Sequence, residues 1–142
     1  MVKTSVLAVA FAIGIVGSAH AQDCLHGPSE APDQAARRRD ALTATRTINN
    51  IQANQPGAIN AVYLRHADLG SSPFAVGMRD SSNAVVTRIS LDPQQEILPG
   101  WRLTLDVTER GYWFMVRDTT DPCGFSYVSN QAGVIFNAAP IR

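Results

Sequence analysis

The stretch Trp101-Arg102-Leu103-Thr104-Leu105-Asp106-Val107-Thr108-Glu109-Arg110-Gly111-Tyr112-Trp113-Phe114-Met115-Val116-Arg117 decides the fold class of this 142-residue chain. Its first half alternates strictly. Trp101, Leu103, Leu105 and Val107 fall on one side and Arg102, Thr104 and Asp106 on the other, the period of a half-buried strand whose register is fixed by burial. Thr108-Glu109-Arg110-Gly111 supplies the turn, and 112–117 returns as the second strand of a hairpin. That return strand is mixed, with Trp113, Met115 and Arg117 on one side and Tyr112, Phe114 and Val116 on the other. Both of its faces are therefore expected to be at least partly covered.

Towards the C-terminus, 125–128 and 134–136 read as two further short strands around Ser129-Asn130-Gln131-Ala132-Gly133. Towards the N-terminus, 58–65, 74–78 and 84–91 also read as strands. The loop 68–73 and the turn Asp80-Ser81-Ser82-Asn83 separate them, and Val85, Thr87, Ile89 and Leu91 alternate along the last. Ahead of Pro56-Gly57 the pattern changes. Ala35, Leu42, Thr45, Ile48 and Ile51 recur at spacings of three, four or seven, which predicts one helix over 32–55. Pro32 is tolerated in its first turn, and Ser29 or a neighbouring polar residue is the expected cap. The apolar stripe is thin, so the helix needs a partner surface to be stable. The expected fold is α+β: one N-terminal helix packed on an antiparallel β-meander of about four to six short strands.

Before the helix, Lys3 precedes an apolar run of about eleven residues that ends in Gly17-Ser18 and the small-x-small triplet Ala19-His20-Ala21, the order of a secretory signal peptide. The expected organisation is a signal over 1–21 and a single globular domain over 22–142, placed in the periplasm or secreted. An uncleaved anchor is the rival reading, but the run is short against the roughly twenty residues of a spanning helix. Stable membrane insertion after cleavage is not expected.

Cys24 and Cys123 are the only two cysteines. In an oxidising compartment an isolated pair is most simply a disulfide, here closing a loop of roughly 100 residues. A thiolate nucleophile or a redox pair is the alternative, without the Cys-x-x-Cys spacing that would support it. Lys3 is the only lysine, so beyond the signal eleven arginines face twelve acids. Near-neutrality argues against a nucleic-acid partner. The run Arg37-Arg38-Arg39 is expected on a solvated helix face, its charge partly offset by Asp33 and Asp40.

The order of a long helix, an antiparallel sheet and the late Cys in Asp118-Thr119-Thr120-Asp121-Pro122-Cys123-Gly124-Phe125-Ser126-Tyr127 resembles the globular part of type IV pilins and related minor pilins or pseudopilins. The resemblance implies display outside the inner membrane as part of a pilus-like assembly. The prepilin arrangement of that family, a Gly followed by an aromatic-led apolar helix with Glu at its fifth position, does not occur around Gly14 or Gly17.

The residues offer no clear catalytic set. Cys24-x-His26 supplies two metal ligands without the rest of a site, so no metal and no cofactor is expected. His66 stands near Asp68 without a nucleophile elbow. Asp92, Glu96, Asp106, Glu109, Asp118 and Asp121 are scattered, and no pair stands out as a glycosidase-like set. The expectation is a non-enzymatic structural or protein-interaction domain whose partner is another envelope protein or itself. A periplasmic inhibitor or ligand-binding module, and a small secreted hydrolase, are the alternatives. The candidate binding residues are Tyr112, Trp113 and Phe114, with Arg102 and Arg117 as charged neighbours, residue types suited to recognition.

Overall fold

The computed structural model describes residues 24–55 and 63–139. The expected signal over 1–21 and most of the expected strand over 58–65 lie outside them. The long helix α1 spans Pro32–Ala53. It is followed by two short helices, α2 at His66–Leu69 and α3 at Pro73–Met78, and by a 3₁₀ turn at Val86–Arg88. Four strands then complete the fold: β1 Trp101–Thr108, β2 Gly111–Asp118, β3 Ser126–Asn130 and β4 Ile135–Ala138. They form one antiparallel sheet in the order β1-β2-β3-β4. No helix among the described residues is long and apolar enough to cross a membrane.

The hairpin folds in the register that its alternation dictates. Trp101 pairs with Asp118, Leu103 with Val116 and Leu105 with Phe114. Trp101, Leu103, Tyr112, Phe114 and Val116 point into the core, whereas Arg102, Thr104, Asp106, Trp113 and Arg117 are exposed on the outer face. The helix α1 covers the inner face. Ala41 and Ala44, both fully buried with Ile48 and Ile51, give it a flat contact stripe that permits close approach to the sheet. Polar ties fix its position: Asn49 Nδ2 donates to Ser129 Oγ (2.9 Å), Tyr112 Oη to Asn49 Oδ1 (3.1 Å) and Tyr127 Oη to the Arg38 carbonyl (3.2 Å). Burial raises the pKa of both tyrosines, so each stays a neutral donor. No side chain caps the helix N-terminus; Ala31 occupies the cap position and Pro32 opens the first turn.

Two expected strands are helical instead. Over 74–78 the chain forms α3, because Pro73 presets the first turn and Ser72 Oγ accepts from the Ala75 amide. Phe74 and Met78 then share a face at i, i+4 and pack against the core. Over 84–91 the apparent alternation gives way to the 3₁₀ turn at Val86–Arg88, led into by a turn in which Asn83 Oδ1 accepts from the Val85 amide at 2.9 Å. Val85 and Ile89 both reach the core edge. A short apolar run satisfies either period, and local capping selected the helical one. After the undescribed segment, Leu64 is held by a side-chain amide that substitutes for a strand: Gln52 Nε2 donates to its carbonyl (2.8 Å) and its amide donates to Gln52 Oε1 (2.9 Å).

Cys24 and Cys123 are joined, with Cα atoms 5.2 Å apart and a sequence separation of 99. The bridge ties the lead before α1 to the β2–β3 connection. On the chain-entropy estimate, closing a loop of this length contributes about 4.7 kcal/mol by restricting the unfolded chain. Denaturant melts with and without reductant should therefore show a large drop in the unfolding midpoint on reduction, and an unchanged midpoint would show that the bridge constrains nothing.

Candidate functional site

Two polar constellations stand out, one buried and one exposed. The buried one is built on His26. Its Nδ1 lies 2.7 Å from Glu30 Oε1 and its Nε2 2.8 Å from Asp118 Oδ2. The three side chains are 2%, 8% and 0% exposed, respectively. Only the imidazolium can donate from both nitrogens at once, so the charged ring is the form that satisfies both carboxylates. The ring also packs against Phe125 at 4.7 Å and Trp101 at 5.8 Å between centroids. Arg38 closes the outer side of Glu30 with a fork, Nε to Oε1 at 2.8 Å and Nη2 to Oε2 at 2.7 Å. Arg37 approaches Asp118 Oδ1 at 3.5 Å and donates to Thr120 Oγ1 at 3.1 Å.

These contacts correct two expectations. Arg37 and Arg38 do not form a solvated basic face, because the 100° step of the helix turns each towards a different carboxylate, while Arg39 alone is exposed. Asp33 and Asp40 are not their partners; Asp40 pairs with Arg88 at 3.0 Å. The Arg38 fork, aided by His26, holds the Glu30 carboxyl down to about 2 against the opposing effect of burial. For Asp118 burial pulls upward, but the bonds from His26 and Thr120 outweigh it and its pKa is lowered. With His26, Glu30 and Asp118 nearly out of solvent and the partly exposed Arg37 and Arg38 bonded over them, the cluster is a structural clamp joining the lead, the helix and β2.

The remaining titratable candidates stay apart. His66 opens α2, and burial lowers its pKa against the opposing charge of Asp92. A cleft of about 800 Å³ lies between α3 and the 3₁₀ turn, and its polar wall includes Arg79, Thr87, Ser90 and Asp92. Among the described residues no group of three His, Cys, Asp or Glu side chains is arranged to hold a metal ion.

The exposed constellation is the outer face of the sheet. Of the five residues expected to bind, Arg102, Trp113 and Arg117 lie there. Tyr112 and Phe114 do not: the two-residue period of β2 turns them inward, 6% and 0% exposed. Their place is taken by residues that the sequence left unassigned. Met115 pairs with Val128, and Val128 with Phe136, giving an apolar row across three strands. Trp113 is 43% exposed and Phe136 56%. Beside this row Arg102 stands directly opposite Arg117, an unfavourable like-charge pair. Neither has an ion-pair partner among the described residues. Both border a depression of about 300 Å³ with Thr104, Thr119 and Asp121. At the other end the Trp113 indole donates to Asp106 Oδ2 at 3.2 Å.

The buried clamp makes its own prediction. Glu30 is depressed in the folded state, so its contribution is fully present above about pH 4.5 and is lost as pH falls towards about 2. Acid titration of the unfolding free energy should show this decline, and Glu30→Gln should flatten it. His26→Ala strands two buried carboxylates and should cost about 3–5 kcal/mol; a variant as stable as the parent would remove the clamp from the account. No family model, curated protein or solved structure matches this chain, so the functional reading rests on its own residues and geometry.

Proposed function

We propose that this chain is an exported, non-enzymatic protein-interaction domain whose docking surface is the outer face of the sheet. The observation that carries the reading is an apolar row, half-buried Met115 and Val128 with exposed Phe136 and with exposed Trp113 beside it, next to two arginines that have no acidic ion-pair partner among the described residues. Exposed aromatic side chains grouped on a rigid sheet are costly to leave in water and are the anchors from which interfaces are built. The chemistry fits a protein partner that presents an apolar patch flanked by carboxylates. Arg117 would be neutralised at the rim while Trp113 and Phe136 are desolvated at the centre.

The signal-like N-terminus and the cystine support an oxidising, exported setting. The pilus-like setting rests on the order of helix and meander alone. That order also leaves the domain an outer face to present, which is what an assembly subunit or an envelope adaptor requires.

Envelope or medium fractions passed over the immobilised protein should yield a retained partner whose affinity drops about thirtyfold for Trp113→Ala or Phe136→Ala, the loss typical of an interface hot spot. Arg117→Glu should weaken it further at low salt. Melting temperatures should stay near that of the parent, since all three side chains face solvent. Equal retention by parent and variants would place any binding elsewhere.

A further inference from the structure

The long edge of the sheet carries information that the outer face does not. The amide of Trp101 donates to the Leu98 carbonyl and its own carbonyl accepts from Ile97. Both groups of Trp101 thus point away from β2. In an antiparallel ladder this orientation alternates, so the N–H and C=O of Leu103, Leu105 and Val107 also point outward. Among the described residues none of these groups has a main-chain partner on that side. Leu103 keeps 6% exposure where Phe114 and Val116, inside the sheet, keep none. Edge strands of this kind are usually blunted by Pro, a bulge or repelling charge. The strand β1 is instead eight residues long, with unbroken pairing to β2 and no Pro.

Its sequence is complementary to itself. Read in opposite directions, Arg102-Leu103-Thr104-Leu105-Asp106 places a cation opposite an anion at both ends of a Leu-Thr-Leu centre. We infer that two copies of this chain associate edge to edge through residues 102–106 of β1, antiparallel about a two-fold axis at Thr104, the pairing ending where Leu98 and Ile97 already occupy the outward groups of Trp101. Leu103 of each copy then exchanges main-chain hydrogen bonds with Leu105 of the other, as the outward groups require. Arg102 meets Asp106 of the second copy on the outer face. The charge that opposes Arg117 within one chain is thereby neutralised by the other chain, and the Trp113 indole already steadies the receiving carboxylate.

The register is selective. Shifts by an odd number of residues in the pairing sum would set the apolar side of one strand against the polar side of the other. Centring on Leu103 or Leu105 pairs neither charge with its opposite, and centring on Asp106 sets two carboxylates face to face. The interface is isologous and closes at two subunits. It stands independently of the docking face, which it would duplicate on one flat surface.

Sedimentation of the purified protein alone, without any partner, tests the inference. A reversible dimer is expected as the concentration is raised to about 1 mM, the weak end of the affinity scale. Arg102→Asp or Asp106→Arg alone should raise its dissociation constant at least tenfold, and the double exchange should restore it. Across the axis the two Thr104 residues form a close, non-hydrogen-bonded pair, so Thr104→Cys should cross-link on mild oxidation while Thr108→Cys does not. A monomer throughout, an open-ended series of oligomers, a dimer indifferent to both reversals, or equal cross-linking at 104 and 108 would each overturn the proposal.

Discussion

The contact on which the rest of this structure depends is the burial of His26 between Glu30 and Asp118. An imidazole removed from water is tolerable only if both nitrogens find partners and those partners are themselves compensated. Arg38 on one side and Arg37 with Thr120 on the other provide that compensation. The members come from three parts of the chain: the lead, the first turns of α1, and the end of β2 with its following loop. Satisfying one ring therefore fixes where the lead runs, how the helix is rotated and where the sheet ends. The cystine lies at the same junction, so covalent and electrostatic constraints act on one seam. Such clusters add little net stability compared with an apolar replacement, but a partly satisfied one is costly, which favours a single arrangement.

Around this seam the core is ordinary. Trp101 is almost fully buried, with its ring crossing Phe125 at 88° and stacked at 24° on Tyr127. Gly100 immediately before it adopts a φ of 77°, and a Cβ there would collide with the Arg37 guanidinium. The strand β1 thus begins where the clamp permits. The Glu96 carboxylate, accepting from the Gly100 amide at 2.7 Å and from Thr119 Oγ1 at 3.2 Å, secures the same turn.

The legible parts of the sequence were those where one period runs long enough to exclude the other. Eight alternating residues in β1 and some twenty in α1 leave no ambiguity, and the two cysteines admit one intramolecular pairing. Over 74–78 and 84–91 the apolar residues are few, and a capping Ser72 or Asn83 outweighs a pattern that fits both periods. The outer face is half legible. Alternation identifies Trp113 and Arg117 as sharing a side, but it does not say which side is buried, so Tyr112 and Phe114 stand as equal candidates in the sequence. Phe136 joins the face only through a register set two strands away. The clamp was not legible, because nothing local links His26 to an acid 92 positions later.

The placement of the two cysteines also sets an order of events. Cys24 is synthesised early and Cys123 late, and no third thiol lies between them. The first cysteine must wait, reduced or capped, until the hairpin and the turn after it have been made. The bridge can therefore close only after the helix and the β1–β2 hairpin have been made, whereas β3 and β4 lie beyond Cys123. A chain cut short before Cys123 cannot close the bridge, and a quality-control machinery that senses thiols could recognise it by that single chemical state.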